Sequence, residues 1–243
     1  MDKQQFSFVA GSVLALMLAG CGRPDPVTPA PAGTEAGVID TLPSVAPETA
    51  VLLENEHVRV SRVRLAPGSK LAAQEGGRRA VYSLSDYEIE FQPDGAVPER
   101  RTWASGDVHF HDAGKYALAN IGTTPAEFVV FERLAAPLPA GAASQGKDAA
   151  DVMPEQAKLL AENPSFRVMQ VSLEPGDAQP VHDGRVRVVY SLSDYEIEWR
   201  EGDAAPEKRQ WRTGQAHWHL SGKHAARNTG RTEARWLIVA LKD

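Results

Sequence analysis

Short stretches of the chain alternate apolar and polar residues with a period of two, the pattern of half-buried β-strands. Val58-Arg59-Val60-Ser61-Arg62-Val63-Arg64-Leu65 is the clearest, and it ends at Pro67-Gly68, a pair that turns the backbone and cannot continue a ladder. Further strands are expected at 80–84, 87–91, 108–111, 115–120 and 128–132. No long stretch has helical periodicity. Closely spaced strands with turns rich in Gly, Pro, Asp and Asn predict an all-β protein, built as an antiparallel barrel or jelly roll.

The pattern recurs. Shifting the chain by about 108 positions aligns 51–135 with 159–243 without a gap, and roughly 36 of about 85 pairs are identical. The ten residues 81–90 repeat without change as 189–198, and Trp103, His109, His111 and Asn120 return as Trp211, His217, His219 and Asn228. Each block is therefore one folding unit, 51–135 and 154–243. The stretch 136–153 between them, with Pro137, Pro139, Gly141 and Gly146, is expected to be a linker.

Before the first block the composition changes. Lys3 precedes an apolar run over 6–18 that is shorter than the about 20 residues a membrane-spanning helix needs. The run leads into Leu18-Ala19-Gly20-Cys21, which closely resembles the lipobox of bacterial lipoproteins. That resemblance implies a signal peptide at 1–20, cleavage before Cys21 and a lipid on Cys21 that ties the protein to a membrane. Cys21 is the single cysteine, so it has no disulfide partner within the chain. Gly22 stands where inner-membrane lipoproteins usually carry Asp, so the resemblance points to the outer membrane of the cell envelope, facing the periplasm. Residues 21–50, rich in Pro and Ala, read as a flexible tether.

Charge and motifs narrow the function. A net charge of -6 and the absence of any Lys/Arg run argue against nucleic acid as a partner. There is no Gly-x-Ser-x-Gly elbow and no phosphate-cradling glycine loop. The paired carboxylates Glu88/Glu90 and Glu196/Glu198 share a strand face opposite Tyr87, Ile89 and Phe91, and that face reads as the solvent side.

The segment 214–230, from Gly214 through His-Trp-His and a Gly-containing turn to His224 and Asn228, resembles the second motif of the cupins. The first cupin motif, with its two histidines and a glutamate, is similar to 176–190, where His182 matches the first histidine, Gly184 stands at the second and Arg187 is near the glutamate. In the first block those places and that of the later histidine are held by Gln74, Gly76, Arg79 and Tyr116. The resemblance implies two tandem cupin-type jelly-roll barrels, a bicupin. Cupin enzymes usually hold a metal with three His and a carboxylate; block one lacks that set and block two keeps only His182 and His224.

Three classes of function follow. The first, which this reading adopts, is a noncatalytic envelope module that binds an unidentified small ligand and needs no cofactor. Arg79 and Arg187 are then its candidate ligand-binding residues: turned inward they would suit a carboxylate or phosphate, and otherwise their heads lie in water. The second is a divergent metal-dependent enzyme in which His182, His217, His219 and His224 of the second block hold a divalent transition metal. The third is a scaffold for envelope proteins.

Overall fold

A computed structural model describes residues 46–141 and 146–242. The segment read as a signal peptide, Cys21 and most of the expected tether lie outside the described residues.

The first repeat forms β1 (Glu48–Glu54), β2 (Val58–Leu65), β3 (Lys70–Gly76), β4 (Arg79–Ser83), β5 (Tyr87–Pro93), β6 (Glu99–Trp103), β7 (Val108–His111), β8 (Gly114–Asn120) and β9 (Ala126–Arg133). The second forms β10 (Ala157–Glu162), β11 (Phe166–Leu173), β12 (Ala178–Gly184), β13 (Arg187–Ser191), β14 (Tyr195–Glu201), β15 (Glu207–Trp211), β16 (Ala216–His219), β17 (Gly222–Asn228) and β18 (Ala234–Leu241). Each repeat folds an antiparallel five-stranded sheet against a four-stranded one, β1-β2-β9-β4-β7 with β3-β8-β5-β6, and β10-β11-β18-β13-β16 with β12-β17-β14-β15. The chain is thus all-β with two tandem jelly-roll barrels.

Asn120 and Asn228 fasten each barrel at the same place. Their amides donate to the carbonyls of Leu65 and Thr124, and of Leu173 and Thr232, at 2.8 to 2.9 Å. These side chains are buried and satisfied, which makes their return in the repeat a packing requirement.

The two five-stranded sheets pack face to face. Alternate residues of β4, Ala80 and Tyr82, point outward from barrel one, and Arg79, Val81 and Ser83 point inward; all five are buried. One apolar cluster crosses the junction and joins Val58, Val60, Ala80, Tyr82, Val129 and Phe131 to Phe166, Val168, Val188, Tyr190, Leu237 and Val239. These are the same six repeat positions from each side, so the contact is self-complementary like that of a twofold dimer.

Residues 147–153, read from sequence as the end of a linker, are built into barrel two. The Lys147 carbonyl accepts from Asp183, and Asp148 caps the short helix α1 (Ala149–Val152) and accepts from Arg167 Nε at 2.7 Å. Ala149 and Met153 then enter the second core.

Candidate functional site

The inward faces of the sheets carry the candidate residues. Both arginines point inward: Arg79 is 9% exposed and Arg187 3%. Glycine makes room for them. A Cβ built at Gly76 would collide with the Arg79 guanidinium, and one at Gly184 with that of Arg187 and the His224 ring. Gly76 and Gly184 stand where the cupin resemblance places a histidine, and each guanidinium fills the room that the glycine leaves.

Barrel one encloses a cavity of about 310 Å³. Its walls are apolar, with Val63, Leu71, Val81, Ile89, Phe128 and Val130, and one end is polar. There the Arg79 guanidinium lies 3.6 Å from Glu132 and 4.3 Å over the Tyr116 ring. Glu132 also accepts from the Gly77 amide at 2.8 Å and lies 3.7 Å from Arg59, which is itself paired with Glu54 at 2.8 Å. Glu75 lines the cavity as well, so its two arginines face three carboxylates. Tyr116 Oη is buried and has no hydrogen-bond partner among the described residues.

Deeper inside, Ser83 Oγ donates to Tyr87 Oη at 3.1 Å, Tyr87 meets His109 Nε2 at 3.3 Å, and His109 Nδ1 meets His111 Nε2 at 3.0 Å. Trp103 stacks on His109 with centroids 3.9 Å apart. Burial, then neighbouring positive charge, lowers His109 to about 3 and His111 to about 4. Burial raises Tyr87 to about 12. All three are neutral at physiological pH, and the chain of hydrogen bonds is a structural strut along the wall.

Barrel two has the same frame with its interior filled. Phe91, Phe128, Ser61 and Val130 of barrel one are matched by Trp199, Trp236, Met169 and Ile238, all buried. What remains is a space of about 20 Å³ beside Gln179, Arg187, His217, His219 and His224, and another of about 10 Å³ under α1. Trp211 stacks on His217 at 3.8 Å and Trp199 on His224 at 4.6 Å.

The four histidines come together in two pairs. The rings of His182 and His224 are 4.1 Å apart, and His217 Nδ1 lies 2.7 Å from His219 Nε2. Arg187 stands with them, its Nη2 3.2 Å from His224 Nε2 and its Nη1 donating to the carbonyls of Arg185 and Leu220. Its positive charge lowers the pKa of all four, after burial. The partner seen in barrel one is missing: Arg79 faces Glu132 across β4 and β9, and Arg187 faces Ala240 across β13 and β18.

With this geometry in place, comparison with solved structures gives the fold its relatives. AerE from Microcystis aeruginosa matches with a TM-score of 0.57 at 17% identity, over 81% of this chain and 98% of that one. An oxalate decarboxylase variant from Bacillus subtilis matches with a TM-score of 0.58 at 10% identity, over 81% of this chain and 73% of that one. No family profile and no curated protein sequence matches the chain. The fold is therefore the cupin fold in its tandem, bicupin form, and at these identities the likeness reaches no further than the fold.

Oxalate decarboxylase from Bacillus subtilis is described with Mn(II) centres. The residues here do not fit such an ion. In barrel one the corresponding places hold Gln74, Gly76, Arg79 and Tyr116; in barrel two the Arg187 cation occupies the histidine cluster. No grouping of three or more His, Cys, Asp or Glu among the described residues could hold a metal. A guanidinium repels a divalent ion at the distances a ligand set requires.

Sequence reasoning selected the histidine positions and both arginines but missed Glu132 and the difference in volume between the interiors. Both were readable in the repeat, as Glu132 against Ala240 and as larger residues at matched inward positions.

Proposed function

We propose that the protein is an envelope lipoprotein, held by a lipid on Cys21, whose first barrel binds a small molecule without transforming it and whose second barrel is a closed support. One observation carries this reading: two barrels of the same frame differ by about 310 Å³ against about 20 Å³ of interior space. A cavity of that size, apolar along its walls with a few polar groups at one end, is the usual form of a small-ligand site.

The electrostatics choose the ligand. Arg79 is compensated by Glu132, so its charge does not call for an anion. With two arginines set against three carboxylates, the lining favours an uncharged molecule over the carboxylate or phosphate that an inward arginine suggests by itself. We infer an apolar body of about ten to fifteen heavy atoms with a hydroxyl or carbonyl that meets Tyr116 Oη and Arg79.

Native mass spectrometry of protein taken from its own host tests this. A bound mass of roughly 150–220 daltons, released on unfolding and absent when Val81→Trp blocks the cavity, is the expected result. An empty protein, or a ligand unaffected by the substitution, would contradict it. A bound metal with turnover would favour the enzyme reading, and co-purifying protein without a small molecule the scaffold reading.

A further inference from the structure

We propose that barrel two holds one halide ion, chloride in ordinary solution, in the small space beside Arg187. This is independent of what barrel one binds.

The first ground is an unmatched charge. Arg187 is 3% exposed, and the one carboxylate whose charge is felt at it, Glu201, forms no ion pair with it among the described residues. Breaking a buried ion pair by removing one partner is strongly destabilising, because a desolvated charge needs either a counter-charge or removal. Barrel one meets that need with Glu132, whereas barrel two has Ala240 in the same register. Burial pulls Arg187 down to about 10, which leaves it protonated at neutral pH.

The second ground is a surplus of donors around the same space. Gln179 is 3% exposed, and its Nε2 has no partner among the described residues. The Nε1 atoms of Trp199 and Trp211 are likewise buried without partners, and both tryptophans line the space. His217 Nε2 joins them, and it becomes a donor when His219 Nε2–H donates to His217 Nδ1. Leaving several buried N–H groups unpaired would destabilise the fold at each of them. One acceptor that takes several donors at once satisfies them together.

Size and charge then select the ion. About 20 Å³ admits one particle of water or halide size, and excludes phosphate, sulfate and carboxylates. Water would satisfy some donors, but it would leave the guanidinium with Glu201 as its only counter-charge, one that forms no ion pair with it.

The test is thermal unfolding of the mature chain at fixed ionic strength, with chloride replaced stepwise by gluconate, which is too large to enter. The midpoint should rise saturably with chloride, by roughly 3 °C or more, and bromide should substitute for chloride. Arg187→Met should lose the halide response while remaining folded in gluconate. Ala240→Glu, which supplies barrel one's carboxylate, should lose it too. Crystals grown in bromide should show one anomalous peak within reach of Arg187 and Gln179. An equal midpoint in chloride and gluconate would overturn the proposal. So would a halide response that survives Arg187→Met, or a bromide peak with no thermal effect.

Discussion

Glu132 lies 3.6 Å from Arg79, and the two are register partners on neighbouring strands at the polar end of the open barrel. The pair decides what the cavity can hold. With Glu132 ionised, Arg79 is a hydrogen-bond donor of compensated charge; without it, Arg79 is an anion site.

Glu132→Gln should therefore have two effects. The protein should lose roughly 1–3 kcal/mol in chemical denaturation, since a poorly exposed guanidinium is left without its partner. Its ligand preference should also turn toward carboxylates. An unchanged midpoint together with unchanged ligand preference would contradict the role given to the pair.

Histidine burial gives the fold an acid limit. Folded His109, His111 and His217 are held at about 3, 4 and 3, and His219 and His224 at about 2, mainly by desolvation. Unfolded histidine titrates near 6.5. As pH falls below that value the unfolded chain takes up protons that the folded one refuses, so stability is lost downward. Stability should be level above about pH 7 and decline toward pH 5, by up to about 1.4 kcal/mol per pH unit for each histidine. Urea midpoints across this range, where carboxylates have not yet titrated, check it. A flat profile would show the histidines to be accessible.

The shared apolar cluster should make the two barrels unfold together. Phe131→Ala, in the shared cluster and 1% exposed, should cost about 3–5 kcal/mol and keep a single transition. Two transitions, of which only one moves, would mean that the barrels are independent bodies.

Cys21→Ser should leave a soluble or unprocessed precursor, whereas the unaltered protein should enter the detergent phase with the added mass of its acyl chains. Equal partitioning of both would remove the anchor from the account.

Much of the fold was legible because duplication prints each constraint twice: the strands at 87–91 and 108–111, the turn at Pro67-Gly68 and the fastening Asn120 all return in the second block. The strands that went unread, β1, β3 and β6, are sheet edges. Their side chains are mostly exposed, so burial imposes little alternation on their sequence. Helix α1 escaped notice because four residues show no periodicity and it is fixed by the Asp148 cap and by Arg167 instead. The inward turn of Arg79 and Arg187 depends on the absence of side chains at Gly76 and Gly184, contacts across strands that spacing along the chain does not express.

The central claim is an open, uncharged-ligand site in barrel one beside a filled barrel two. It is tested most directly with two small fluorophores that share a naphthalene body, 2-naphthol, which is neutral at pH 7, and 2-naphthoate, which is an anion there. Titrated into the mature protein, the neutral probe should bind saturably at one site and more tightly than the anionic probe. Binding should be lost when Ser61→Met and Phe128→Trp give barrel one the residues that fill barrel two, in a variant whose folding is verified by circular dichroism. Equal binding to the filled variant, or preference for the naphthoate, would contradict the account.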